Sequence, residues 1–267
     1  MHSPSEVLIM IKKIKSVFLA GAFAFFGWNQ ALAFDHSHSG WNEIVKRSVT
    51  WTNSASTVNY KDLKSDSKAL DQYLKELSDV KNSDFEGWTR DQQLAFLINA
   101  YNAWTVKLIL ENYPVKSIKD IGGIFSSPWK QKFFKLLDKE TSLDWIEHEK
   151  VRPTFKEPRI HFALVCASIG CPGLRAEAFV AEKLNQQLDD STKRFLNDSS
   201  RNHYDLAKKE LALSSIFKWY KDDFVKAKGT VQAFIFPYMD SLKGENFGSV
   251  QKLTIKYLEY NWSLNEK

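Results

Sequence analysis

Between Ser67 and Val80 the apolar residues Leu70, Tyr73, Leu74 and Leu77 return at intervals of three and four, which predicts an amphipathic helix with one buried face. The stretch after Thr89 has a different pattern. Leu94, Phe96, Leu97, Ile98, Tyr101, Trp104, Val106, Leu108 and Ile109 cover nearly every face of a helix that runs to Asn112 and is stopped by Pro114. A helix that is apolar all round is a buried one. Thr89 and Gln92 have the spacing of a capping box, which fixes its start. Asn99 and Asn102 therefore sit one turn apart on a central buried helix, where both amides need partners.

Further along, Lys132 to Leu137 and Thr141 to Leu143 flank a polar turn and predict a hairpin. Ser142 is placed to cap a short helix reaching Arg152. Ile160 to Ala167, an apolar run enclosing His161, predicts a β-strand. A turn-rich loop from Ser168 to Arg175 and a long helix from Glu177 to Leu196 follow. The pattern then gives a short strand at Glu210–Leu213 and helices at Ser214–Val225 and around Val231–Met239. An extended segment, Leu253–Leu264, ends it. Helices and strands mix without a βαβ rhythm, so the expected class is α+β: one domain with a buried central helix packed on a small, mostly antiparallel sheet.

The first apolar run has another meaning. Lys12, Lys13 and Lys15 precede the apolar stretch from Ser16 to Trp28, and Ala31-Leu32-Ala33 supplies a small-x-small triplet. That order predicts a signal peptide over residues 1–33, cleaved before Phe34. The stretch falls short of the ~20 apolar residues that span a bilayer. The expected organisation is a leader at 1–33, a loosely ordered segment at 34–64 and a single domain at 65–267. The expected location is the periplasm or the medium.

The formal net charge of +5 is spread along the chain, and three of its lysines lie in the leader. So weak a balance argues against nucleic acid or a membrane surface as a partner, and leaves a peptide or small-molecule ligand. No metal motif such as H-E-x-x-H occurs, and no cofactor is expected. Aromatic residues make up 14% of the chain, enough to line a cleft as well as a core. The two cysteines, Cys166 and Cys171, both follow the leader, and in an oxidising compartment such a pair favours a disulfide.

The densest group of reactive residue types runs from His161 to Cys171. On a regular strand His161 and Cys166 would point to opposite faces, so Cys171 is the thiol expected to fold back on the imidazole. A thiol beside a histidine is how a nucleophile is made, and Glu147 is placed to orient the ring. The resulting Cys-His-Glu set is like that of papain-like or transglutaminase-like enzymes, with Asn99 or Asn102 as an oxyanion donor. The structural alternative is a Cys166–Cys171 disulfide, a hydrogen-bonded core His161 and asparagines that satisfy loop backbone. Cys166-Ala167-Ser168-Ile169-Gly170 copies the spacing of a serine nucleophile elbow, but Cys166 replaces its first glycine and only His203 follows downstream. His148 and Arg152 share a helix face that would suit a carboxylate or phosphate, with Glu147 facing elsewhere. Tyr101, Ser168 and Lys218 complete the expected substrate-binding set. Cleavage before Phe34 would also leave Phe34-Asp35-His36 as an N-terminus able to wrap Cu(II) or Ni(II), with His36 as the imidazole ligand and His38 in support.

Several separate motifs occur in order: Asn99-Ala100-Tyr101-Asn102, Ile121-Gly122-Gly123, Trp145-Ile146-Glu147-His148, Arg159 to Cys166 and Ser168-Ile169-Gly170-Cys171-Pro172. Leu213 to Tyr220 and Tyr257 to Asn265 continue the series. In these segments, from roughly Trp88 to Asn265, the chain resembles the domain-of-unknown-function family numbered 547. The resemblance implies a shared fold and no established activity. Ala167 departs from it, because a glycine is expected after the first cysteine. Two functions remain open: a thiol-dependent hydrolase or acyl transferase, and a non-catalytic binding domain stapled by a disulfide.

Overall fold

The apolar helix is the axis around which the rest of the chain packs. In the computed structural model, residues 33–53, 55–123 and 126–267 are described. The expected leader lies outside them apart from Ala33, and one compact unit runs from Phe34 to Lys267.

Helix α1 (Ser39–Ser48) leads into an antiparallel hairpin of β1 (Val49–Thr52) and β2 (Ala55–Val58). Helices α2 (Tyr60–Ser65), α3 (Lys68–Asp79) and α4 (Asn82–Glu86) follow. The segment expected to be loose is thus ordered. Trp41, Ile44 and Val45 are buried, Trp41 stacks on Tyr73 of α3, and the Asp35 carboxylate accepts the amides and hydroxyls of Ser37 and Ser39. Its polar letters were helix-capping groups and its aromatics core residues.

Helix α5 (Arg90–Asn112) is the expected central helix, and its capping box is formed in both directions. Sixteen of its residues, from Leu94 to Leu110, are buried. It packs on α2 and α3, and Trp104 stacks on Phe134. Phe134 belongs to the hairpin of β3 (Phe134–Leu136) and β4 (Lys139–Thr141), whose turn residues Leu137 and Asp138 both have positive φ, as a tight hairpin requires.

A π-helix, Trp145–Val151, then runs into α6 (Arg152–Phe155). Helix α7 (Leu184–Leu196) is shorter than expected; residues 177–180 are irregular and a 3-10 turn, Ala181–Lys183, leads into it. Strands β5 (His203–Asp205), β6 (Glu210–Ser214) and β7 (Thr254–Leu258) form a sheet, antiparallel between β5 and β6 and parallel between β6 and β7. Between the last two lie α8 (Ile216–Trp219), α9 (Lys221–Lys228), α10 (Val231–Ile235) and α11 (Phe247–Val250). The class is α+β.

The segment expected as a strand, Ile160–Ala167, is not one. Pro158 opens a 3-10 helix, Pro158–Phe162, and irregular backbone follows. Pro158 offers no N–H to a ladder and its fixed φ suits the first helical position, so a short apolar run that reads as strand is wound instead. Two apolar clusters fill the interior. One surrounds α5, the other gathers Phe162, Phe195, Phe217, Phe224 and Phe234. The 3-10 helix spans the seam, with Ile160 in the first cluster and Phe162 in the second.

Candidate active site

The two cysteines close a tight loop. The Cys171 amide donates to the Ser168 carbonyl at 3.0 Å, and the Cys166 amide donates to Cys171 Sγ at 2.9 Å. Ala167 turns the chain with φ of 57°, so the turn exists even though alanine stands where glycine was expected. The C-terminal segment holds the loop in place. Ile169 donates to the Ser263 carbonyl and Gly170 to the Asn261 carbonyl, both at 2.8 Å. A Cβ on Gly170 would sit 3.0 Å from the Asn261 backbone, which explains the glycine. Arg201, paired with Asp198, donates to the carbonyls of Cys171 and Ile169 from the other side.

Both thiols are free, and their sulfurs lie 2.8 Å apart in a hydrogen bond. The two differ in character. Hydrogen bonding from Cys171 lowers the pKa of Cys166 against the opposing effect of burial, and Tyr260 and Ser168 add to the lowering. The Tyr260 oxygen is 3.1 Å and the Ser168 oxygen 3.6 Å from the Cys166 sulfur. Burial pushes the Cys171 thiol up, and its proton is retained in the bond to Cys166. Burial likewise keeps Tyr260 protonated, hence a donor. The arrangement places developing thiolate charge on Cys166.

His161 faces a carboxylate that the sequence did not single out. Its Nε2 lies 2.8 Å from Asp223 Oδ2, and the ring stacks on Tyr220 with centroids 3.8 Å apart. An ionised carboxylate only accepts, so Nε2 carries the proton and Nδ1 is the basic nitrogen. Burial lowers the pKa of His161, offset in part by Asp223, so the ring is neutral near pH 7. Burial also acts to raise Asp223, but hydrogen bonds from His161 and Arg152 outweigh it and hold the carboxyl well below its ordinary range. Arg152 grips Asp223 through Nε at 2.7 Å and Nη2 at 3.1 Å, and lies over the Tyr220 ring.

Sulfurs and imidazole open on one cavity of about 240 Å³. It is lined by Tyr101, His161, Cys166 and Cys171, by Glu147 and His148, and by the rings of Trp129, Trp219, Tyr260 and Trp262. Neither sulfur is hydrogen-bonded to His161 among the described residues, so a proton passing between them must cross through a substrate atom or a water.

The expected site residues divide accordingly. His161, Cys166 and Cys171 meet in the cavity, because wound backbone replaces the strand on which His161 and Cys166 would have pointed apart. Glu147 lies in the cavity wall, yet the hydrogen-bonded partner of His161 is Asp223; Glu147 bonds the Tyr220 hydroxyl instead. Glu147 and His148 both face the cavity because seven residues are wound as a π-helix, which shifts the helical faces. His148 does contact Arg152, at 2.7 Å.

Asn99 and Asn102 are clamps on backbone and do not line the cavity. The Asn99 amide spans the N–H and carbonyl of Phe179, and that of Asn102 spans the Ala163 carbonyl and Val165 N–H. Each commits one N–H and its oxygen to backbone, and neither side chain reaches the cavity where an oxyanion would form. Ser168 is buried beneath the loop and Lys218 is exposed away from the cavity, so neither lines it. His203 is exposed on β5 and does not line the cavity. His36 packs edge-on to Trp88 beside Phe34, with its Nδ1 buried and unbonded, while His38 Nδ1 meets the Tyr73 hydroxyl at 2.7 Å. No group of three His, Cys, Asp or Glu side chains gathers to hold a metal among the described residues.

Residues 85–196 match the family described as "Protein of unknown function, DUF547". This stretch of the chain is similar to that family. The matched stretch contains Tyr101, Glu147, His161 and both cysteines, whereas Tyr220, Asp223, Tyr260 and Trp262 come from the chain beyond it. No curated protein and no solved structure gives a match. Asp223 could have been found in the sequence only by its place one turn ahead of Ala227 on a helix start rich in acid, a signal too weak to rank it above Asp222.

Proposed function

We propose that the protein is exported and acts as a thiol-dependent hydrolase or acyl transferase, with Cys166 as nucleophile and His161, positioned by Asp223, as base. The observation that supports this reading best is the shared cavity: a thiol of lowered pKa and a neutral histidine on a carboxylate open on the same 240 Å³ space. Cys171 serves as the proton-holding neighbour that favours the Cys166 thiolate, which reverses the roles the spacing suggested. In the reaction, Cys166 Sγ attacks an acyl carbon and its proton passes to His161. His161 then gives that proton to the leaving group, and a water or amine, losing a proton to His161, releases the acyl group and restores the thiol. The leader over residues 1–33 is the support for export.

The test is a p-nitrophenyl acetate burst on the reduced protein, read together with intact mass. An acetyl adduct confined to Cys166, absent in Cys166→Ser and slow in His161→Ala, is the expected result. A burst that survives in a folded Cys166→Ser protein sinks the proposal. A second reading, a binding domain with a Cys166–Cys171 disulfide, is favoured by the 2.8 Å separation of the sulfurs. Alkylating the secreted protein without reductant separates the two, and the same mass reports whether the chain starts at Phe34.

A further inference from the structure

The charges around the cavity are one-sided. Glu147 and Asp144 line it, and among the described residues no lysine or arginine does. The Glu147 side chain is only 9% exposed. It bonds the Tyr220 hydroxyl and lies 4.0 Å from His148 Nε2; Arg152 acts on it only at longer range, and among the described residues no Lys or Arg forms a direct ion pair with it. A buried carboxylate without a cationic partner is costly, and a cation delivered by a ligand would offset that cost. The rings of Trp129, Trp219 and Trp262 line the same cavity; Trp219 is 48% exposed, while Lys119 Nζ already lies 5.0 Å from the Trp262 ring centre, which leaves the other two indoles for a ligand. Indole faces attract cations that have shed water. The volume of about 240 Å³ equals that of about eight waters at about 30 Å³ each, room for one extended side chain.

We propose that this cavity recognises a primary alkylammonium group, as carried by a lysine side chain, with Glu147 as its anion and the tryptophan wall against its methylenes. As a statement about substrate it rests on the acyl-transfer reading above; as a binding site it does not. An ammonium supplies N–H donors to Glu147, which a carboxylate or phosphate ligand cannot. The anion-binding role expected for the His148–Arg152 face is not open either, since Arg152 is committed to Asp223.

The experiment is calorimetric titration of the full chain, carrying Cys166→Ser so that no chemistry intervenes, with n-butylammonium, n-butanol and butyrate. Butylammonium is expected to bind at least tenfold more tightly than butanol, and butyrate not at all. Glu147→Gln, which keeps shape and the Tyr220 contact, is expected to abolish that preference with a melting temperature no lower than that of the unaltered protein, since it removes a buried charge. Equal binding of alcohol and ammonium, or no binding of either, overturns the proposal, and this comparison needs no Glu147 variant. Because the readout is binding to a protein without its nucleophile, failure of the acyl-transfer reading would leave ammonium binding intact, and the reverse.

Discussion

His161 Nε2 and Asp223 Oδ2 lie 2.8 Å apart although 62 residues separate them in the chain, and Asp223 is in turn fixed by two hydrogen bonds from Arg152. The carboxylate thereby sets the tautomer of the ring and leaves Nδ1 as the base. Asp223→Asn replaces one acceptor oxygen by an amide that can turn its N–H toward the ring. We expect acyl turnover to fall by about 10²- to 10⁴-fold with little change in KM, by analogy with triads that lose their carboxylate. Steady-state kinetics check this; equal losses in kcat and thermal stability would instead mark Asp223 as structural.

Cys166 should be the reactive thiol. At pH 7 iodoacetamide is expected to label it at least about tenfold faster than Cys171, whose thiol is buried and raised. Tyr260→Phe removes a donor to the sulfur. Losing that bond to the charged sulfur removes one of the causes that hold the Cys166 pKa down, so it should climb in that variant. Peptide mapping after timed alkylation across a pH series measures both effects, and faster labelling of Cys171 would contradict them.

What the sequence disclosed was what depends on local pattern. The capping box of Thr89, the buried helix after it, the β3–β4 hairpin and β6 all rest on spacing within a few residues, and they are present. The segment around His161 was misread because a short apolar run suits a strand and a wound element equally, and Pro158 decides between them. Phe34 to Gly40 looked loose because Asp35, Ser37 and Ser39 are polar, although those side chains bond the start of α1. The site was half legible. His161, Cys166, Cys171, Glu147, His148 and Tyr101 cluster as reactive residue types. Asp223 and Tyr260 were not found, because long-range contacts alone bring them to the cavity. The expected glycine at 167 was a conformational clue, since the position needs a positive φ.

Asn102 offers a test of structural against catalytic asparagine. Its amide satisfies one buried carbonyl and one buried N–H on the segment that leads to Cys166. Asn102→Ala leaves both unpaired, a loss of about 3 kcal/mol in unfolding free energy at 1–3 kcal/mol per group. Urea titration measures it. A stable Asn102→Ala protein with selectively lost turnover would restore the oxyanion role.

The buried histidines make stability depend on pH, and the sign follows from which state holds the extra proton. Burial pushes His38 down to about 3 from an ordinary 6.5, and His161 is lowered as well. Between these values the unfolded chain is protonated at His38 and the folded one is not. The contribution is therefore fully present above about pH 6.5 and is lost as pH falls toward 3, at about 1.4 kcal/mol per pH unit for each such histidine. Carboxylates held low, such as Asp223, act in the same direction only below their own ordinary range near 3.8, so the window from pH 6.5 to 4.5 isolates the histidines. His38 has φ of 51°, a conformation asparagine tolerates, which makes His38→Asn the appropriate variant. Unfolding free energies at pH 7, 6 and 5 should fall along a shallower line in His38→Asn than in the unaltered protein. Parallel lines would mean that the imidazole takes up its proton without leaving the core.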